Sequence, residues 1–298
     1  MFRPTRPKYL WKLRGRTLQL GVRTLIVGIV NLTPDSFSGD GLAALSAAER
    51  VRAAMRRCDE GADILDLGAE STRPGSRPLL PAEEQRRLLP VLEGVRAKRP
   101  DVLLSVDTYH ASTARLALDC GADIINDVSG LMWDDEMASV IAEAGCGLIL
   151  MHSRGRPENW DQLPPLTADE AMRILTEELA QRLSHADAAG IARESIVLDP
   201  GFGFGIRGEV NLAVLARLAE LEVFERPLLA ALSRKSFLGA LVAPLQPPML
   251  PGPLTRLNAT LAANVIAILH GAHLIRVHDV QAAREAAVVA DAVLAALG

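Results

Sequence analysis

CGADIINDVSG, residues 120–130, passes in eleven positions from the end of an Ala-rich helical pattern, through a glycine, into an apolar run that stops on Asn126 and Asp127. The same phrase recurs as Gly61-Ala62-Asp63 before ILDL, Gly145-Cys146-Gly147 before LILMH and Gly271-Ala272-His273 before LIRVH. Each time a helix ends where an αL cap suits glycine, and a short strand follows at once. An αβ junction used four times is the signature of alternating strand and helix, and the rest of the chain can be read outward from it.

Apolar runs fall at about 25–30, 63–67, 102–106, 123–127, 147–151, 195–199, 228–233 and 273–277. Helical patterns lie between them at about 46–60, 83–98, 111–119, 135–144, 169–189, 209–221 and 255–270, and a last one covers about 280–296. Eight alternations with strands apolar on both faces predict an α/β fold, a closed TIM (β/α)8 barrel, whose parallel strands are buried on both sides. On this pattern alone an open doubly wound sheet is the alternative. Residues 9–23 alternate polar and apolar around Arg14-Gly15 and predict a hairpin closing the N-terminal end of the barrel. Residues 1–24 are therefore expected to form an extension with this hairpin, and 25–298 the barrel. APLQPPMLPGPL, 243–254, holds too much proline for a helix and is expected to be a loop.

With 298 residues, 49% of them hydrophobic, the chain is long enough for one large core, and no linker divides it. A net charge of −4, with Arg and Glu spread along helices, offers no nucleic-acid footprint and no membrane-binding face. Small solutes are the expected partners. Cys58, Cys120 and Cys146 are odd in number and lack CxxC spacing, which suits reduced thiols. The N-terminal segment lacks an apolar signal region and no run is long enough to span a bilayer, so a cytoplasmic location is expected.

Reactive residue types follow the strands. Asn31 ends the first run, Thr72 and Arg73 lie just past the second, Asp107 ends the third, and Asn126 with Asp127 the fourth. His152 follows the fifth, Asp199 ends the sixth, Ser233 to Ser236 follow the seventh, and Arg276 with His278 close the eighth. In a parallel barrel all these positions share the rim where barrel enzymes carry their sites. Asp107, Asn126 and Asp199, with Lys235 to balance charge, suit a flat heterocycle rich in N–H donors, since buried carboxylates need compensating donors. Arg73, Arg276 and His278 suit phosphate oxygens, and the neutral oxygen of Asn31 beside them suits Mg²⁺. Helix caps and scaffold ion pairs are the competing explanation for any one of these residues taken alone. GFGFG at 201–205 is no dinucleotide fingerprint, its third glycine coming one residue early. His270, His273 and His278 lack a zinc arrangement, and Ser233, Ser236 and His152 form no supported triad.

NLTPDSFSGDG, ESTRPGS, SVDTYH, INDVSG, LDPGFGFG, SRKSFLGAL and RVHD, in this order, resemble the motif series of the dihydropteroate synthases, folate-pathway members of the pterin-binding barrel family. The match spans essentially the whole chain, and seven motifs together are highly specific. The resemblance implies a transferase that condenses a hydroxymethyl-dihydropterin diphosphate with 4-aminobenzoate, releasing pyrophosphate. It implies that Asp107, Asn126, Asp199 and Lys235 hold the pterin, and that Asn31, Thr72, Arg73, Arg276 and His278 meet the diphosphate, with Asn31 helping to hold Mg²⁺. Ser236, Phe204, Pro74 and Phe37 would flank the aminobenzoate. Lys235, Arg276, Asp107 and Asp35 would carry the catalysis, with Asp35 and Phe37 on a lid formed by TPDSFSGDG. A homodimer through the two apolar C-terminal helices and a role as a sulfonamide target belong to the same implication.

Three departures from the family's usual pattern stand out: Ile206 where a basic residue usually comes soon after GFGFG, HSRGRPENWDQLPP where a longer loop containing Met and Thr is often found, and Gly39-Asp40-Gly41 where Asp-Gly-Gly is commoner. A methyltetrahydrofolate-dependent methyltransferase would share the pterin contacts without needing the phosphate residues. A non-catalytic pterin-binding subunit would be expected to lose those phosphate residues first. Both are separated from the synthase by whether the chain forms dihydropteroate.

Overall fold

The computed structural model describes residues 6–33, 42, 45–70, 78–245 and 253–297. The chain opens with an antiparallel hairpin, β1 (Tyr9–Leu13) and β2 (Arg16–Leu20), turning at Arg14-Gly15. Eight strands then alternate with helices: β3 (Leu25–Asn31), β4 (Ile64–Gly68), β5 (Leu103–Asp107), β6 (Ile124–Asp127), β7 (Gly147–Met151), β8 (Ile196–Asp199), β9 (Leu228–Ala230) and β10 (Ala272–Val277). They pair in parallel and in sequence, and β10 returns to β3 to close the barrel. Helices α1 (Ala47–Asp59), α2 (Pro81–Lys98), α3 (Ala111–Asp119), α4 (Met137–Ala144), α5 (Ala168–Ala188), α6 (Val210–Ala216), α7 (Ser236–Val242), α8 (Leu257–Leu269) and α9 (Val280–Leu297) fill the connections. The junction glycines behave as their residue type requires: Gly61, Gly121, Gly145 and Gly271 all have positive φ, between 59° and 101°. Among the described residues no helix is long and apolar enough to cross a membrane.

Period-two alternation divides each strand between two environments. Leu65, Leu67, Leu104, Val106, Ile125, Leu148, Leu150 and Leu198 join the large cluster shared with the surrounding helices. Residues on the other period of the strands, Val27, Ile64, Leu103, Ile124, Ile149, Val197, Leu229 and Leu274, form a second cluster inside the barrel, capped by Trp11, Leu13 and Leu20 of the hairpin. The hairpin is therefore a plug, held by a 2.8 Å hydrogen bond from the Trp11 indole N–H to the Ser195 carbonyl. Gly147 makes room for it, since a Cβ there would stand 2.3 Å from Leu13 Cδ2. Moving two residues up the inward face, the side chains turn polar on five of the eight strands: Ile64 gives way to Asp66, Leu103 to Ser105, Ile124 to Asn126, Val197 to Asp199 and Leu274 to Arg276, while Ile29 on β3, Met151 on β7 and Ala231 just past β9 stay apolar there. The barrel interior is apolar below and ionic above.

The C-terminal half differs from its sequence reading in three places. The run expected at 228–233 is a strand only to Ala230, because the chain must turn at Arg234, whose φ is 58°. The helix expected at 209–221 stops at Ala216 and continues as a 3₁₀ helix, Leu218–Phe224, with Leu218 and Leu221 buried three residues apart. Helix α7 was not expected; Phe237 and Leu238 bury its inner side, and Gly239 packs against the Arg256 guanidinium. Beyond it Ala243–Leu245 and Pro253–Arg256 are 3₁₀ turns, while the centre of the proline-rich loop lies outside the described residues.

Candidate active site

Strand register sets the site. Asn31 stands opposite Gly68, Gly68 opposite Asp107, and Asp107 opposite Asn126, so three strand ends place polar groups on one level. Gly68 leaves this level open beside Asp107, whose Cβ would lie 3.3 Å from a Cβ at residue 68. From the far side β10 sends Arg276 across the interior: Nε donates to Asp66 Oδ2 at 2.6 Å and Nη2 to Asp107 Oδ2 at 2.7 Å. Asn126 Nδ2 donates to the same Asp66 oxygen at 3.1 Å. Asp66 Oδ1 and Ser105 Oγ are buried and have no hydrogen-bond partner among the described residues.

Charge is concentrated here with little water to screen it. Burial pushes the Asp107 carboxyl up to about 7, against the pull of Arg276 and with further push from Asp66 and Glu84. Asp199 is raised to about 6 by burial, although the Gly201 N–H donates to its Oδ1 at 2.8 Å and Lys235 lies near. Burial lowers Lys235 to about 8, opposed by Asp199 and Asp107 and reinforced by Arg276. For Arg276 the carboxylates Asp66 and Asp107 outweigh the cost of burial, so it stays charged. Two cations thus face Asp66, Asp107 and Asp199, an excess of acceptors that a ligand with several N–H donors would satisfy.

Lys235 reaches this centre because of a strained turn. Arg234 holds its positive φ with a bidentate pair to Asp279, Nε to Oδ2 at 3.0 Å and Nη2 to Oδ1 at 2.7 Å, and with its N–H on Thr260 Oγ1 at 3.0 Å. The turn ends at α7, with Lys235 as its cap residue and Ser236 exposed as its first residue. Lys235 Nζ lies over the Phe204 ring, 4.4 Å from its centroid. His278, one residue past β10, shares Nδ1 with Ser233 Oγ at 2.9 Å.

The structure therefore brings Asn31, Asp107, Asn126, Asp199, Phe204, Lys235, Ser236, Arg276 and His278 to one mouth of the barrel. Asp35, Phe37, Thr72, Arg73 and Pro74 lie outside the described residues. Sequence reasoning passed over Asp66, whose signal was an aspartate on the inward period of an otherwise apolar strand, and the Asp279 clamp on Arg234. His152 is buried and pairs through Nε2 with Glu178 at 3.0 Å, and His273 is the second residue of β10, at the hairpin end, accepting the Leu228 N–H at 3.2 Å. His110 packs beside Tyr109 and stands 3.6 Å from Glu70, behind the rim. Among the described residues no group of three or more His, Cys, Asp or Glu is arranged to hold a metal ion.

A closed parallel barrel with a buried ionic layer under its C-terminal rim defines a (β/α)8-barrel enzyme that takes a polar small molecule from that end. The chain belongs to the pterin binding enzyme family, whose pattern matches residues 27–278. It is 41% identical over 271 residues to the dihydropteroate synthase of Escherichia coli (strain K12), covering 91% of this chain and 92% of that one. Among solved structures it resembles the Yersinia pestis dihydropteroate synthase in a sulfonamide drug complex, with a TM-score of 0.87, 38% identity, and coverage of 95% of this chain and 98% of that one. It also resembles the Xanthomonas albilineans dihydropteroate synthase with 4-aminobenzoic acid, with a TM-score of 0.85, 36% identity, and coverage of 97% and 99%.

Proposed function

We propose that this chain is a transferase with dihydropteroate synthase activity, joining 6-hydroxymethyl-7,8-dihydropterin diphosphate to 4-aminobenzoate to give 7,8-dihydropteroate and pyrophosphate. The observation that carries this reading is the acceptor-rich layer of Asp66, Asp107, Asn126 and Asp199, closed by Lys235 and Arg276 and left with an unmatched oxygen on Asp66. The amino-pyrimidine edge of a pterin presents N–H donors, and Lys235 supplies the donor that its carbonyl or ring nitrogen requires.

The reaction breaks the C–O bond between the pterin methylene and the diphosphate, the electron pair leaving with pyrophosphate. The aryl amine forms the new C–N bond and then gives up a proton. An aryl amine is a weak nucleophile, so most of the barrier falls through stabilising the leaving group and the positive charge that grows on the methylene. Arg276 is fixed by Asp66 and Asp107, and no described residue takes its Nη1, which can meet a diphosphate oxygen without reorganisation. His278, Thr72 and Arg73 are assigned to the same diphosphate. Asp107 and Asp199, held close to the ring, favour positive charge on it. Ser236, Phe204, Pro74 and Phe37 are assigned to the aminobenzoate, and Asp35 to the lid over the diphosphate.

Mg²⁺ fits this donor set only as an ion that arrives with its phosphate ligands. Asp66 and Asp107 are committed to Arg276, which leaves no carboxylate cage among the described residues, but Mg²⁺ needs few protein oxygens and Asn31 stands at the rim to offer one. Held there, Mg²⁺ would supply charge neutralisation for the pyrophosphate leaving group. A cytoplasmic, homodimeric protein completes the proposal, the second copy meeting the exposed Ile266, Val288, Val289 and Val293 of α8 and α9.

Steady-state formation of dihydropteroate by Lys235→Ala and Arg276→Ala tests the assignment. Each is expected to lose at least about tenfold in kcat/KM, the value of a charge-assisted contact of roughly 1.5–3 kcal/mol. Wild-type kinetics in either variant would refute its role.

A further inference from the structure

The loop between β7 and α5 brings one aromatic residue up to the site. Trp160 sits in the 3₁₀ turn Pro157–Gln162, is 4% exposed, and meets Phe204 in a T-shaped contact, with centroids 5.1 Å apart and planes at 76°. Phe204 is thus gripped between the Trp160 indole and the Lys235 ammonium.

The two segments that carry these rings are locked backbone to backbone. The Arg154 N–H donates to the Phe204 carbonyl at 3.1 Å, and a Cβ on Gly205 would come within 2.4 Å of the Arg154 carbonyl oxygen. Arg207 reaches back to the carbonyls of Asp161 at 3.2 Å and Leu163 at 2.6 Å. The Trp160 indole N–H lies 3.4 Å from the Gly155 carbonyl, which also accepts Ser153 Oγ at 2.8 Å. Beneath Phe204, Asn211 accepts the Gly203 N–H at 2.8 Å and donates to the Ile206 carbonyl at 2.9 Å. Backbone and indole are both fixed, so the freedom left to the Phe204 ring is rotation about its own side chain, which Trp160 opposes.

We propose that Trp160 is a positioning residue for the acceptor half of the reaction: it sets the plane of the Phe204 ring, and through it the wall against which the arylamine lies. This rests on the assignment of Phe204 to the aminobenzoate. Trp160→Leu, which keeps apolar bulk and loses the ring edge, is expected to raise the KM for 4-aminobenzoate about threefold to tenfold, the size of one aromatic pair. The KM for the pterin diphosphate and kcat at saturation should stay within about twofold, and Trp160→Phe should restore most of the loss.

Phe204→Leu separates the role of Trp160 from that of Phe204. A raised aminobenzoate KM in Phe204→Leu with wild-type behaviour in Trp160→Leu would overturn the role of Trp160 and leave Phe204 in place. Wild-type behaviour in both would remove Phe204 from the subsite and the inference with it. Equal changes in both KM values for Trp160→Leu would reduce Trp160 to scaffold and overturn the inference too. If Trp160→Leu does not fold, the wild-type protein labelled with 5-fluorotryptophan answers instead, since it has only three tryptophans to assign. The Trp160 resonance is expected to move with bound dihydropteroate and not with 6-hydroxymethylpterin; a resonance unmoved by dihydropteroate would overturn the inference.

Discussion

Asp66 takes the Arg276 Nε–H and the Asn126 amide on one carboxylate oxygen and leaves the other buried with no partner among the described residues. Asp66→Asn keeps the shape and removes the charge that aligns Arg276, so kcat/KM is expected to fall at least about tenfold. The pH profile gives a second readout. In its proposed role Asp107 serves as a carboxylate, and with burial pushing it up to about 7, activity should be present above that pH and fall as pH drops through it. Asp66 is one of the charges raising Asp107, and its removal also frees Arg276 to serve Asp107 alone. The acid limb of kcat/KM should therefore move to lower pH in Asp66→Asn, and an unmoved limb would contradict the coupling. The strand-end positions of Asp107, Asn126 and Asp199 were legible in the sequence because each lies where an apolar run stops. Asp66 was hidden between leucines, and Arg276 meets it across 210 residues, a pairing that spacing along the chain does not encode.

Most elements could be read because local chemistry and tertiary packing agree on them. The four glycine junctions mark four helix ends, and the capping boxes Ser46 with Glu49 and Thr167 with Glu170 start α1 and α5. Helix α7 escaped because it has only seven residues, flanked by a strained turn and a proline-rich run, and owes its form to burial of Phe237 and Leu238. The hairpin was legible from alternation, but its function as a plug depends on Trp11 and Leu13 entering the barrel beneath the ionic layer. Trp11→Ala should lower the unfolding free energy by about 3–5 kcal/mol, the usual cost of emptying a buried aromatic site, measured by urea denaturation. Its kcat under folding conditions should change little. A stability within 1 kcal/mol of wild type would show that the hairpin is not part of the core.

On the scale of the whole molecule, the helices that close the barrel leave an apolar stripe uncovered. Val289 of α9 is 64% exposed, and Val288, Val293 and Leu297 join it. A soluble protein rarely leaves such a stripe open, and a two-fold dimer would bury it against itself. Analytical ultracentrifugation is expected to give twice the chain mass of 32.0 kDa, and Val289→Glu with Val293→Glu should shift it toward the monomer. A monomer at micromolar wild-type protein would contradict the dimer.

The larger division is between an apolar half of the barrel, plugged and stable, and an ionic half that stays electrostatically incomplete until a donor-rich ring enters it. The direct test is to give the purified protein 6-hydroxymethyl-7,8-dihydropterin diphosphate, 4-aminobenzoate and Mg²⁺, and to measure dihydropteroate and pyrophosphate together. The expected result is the two products in equal amounts, formed only when both substrates are present. Tight binding of the pterin diphosphate with no dihydropteroate formed would contradict the proposed function.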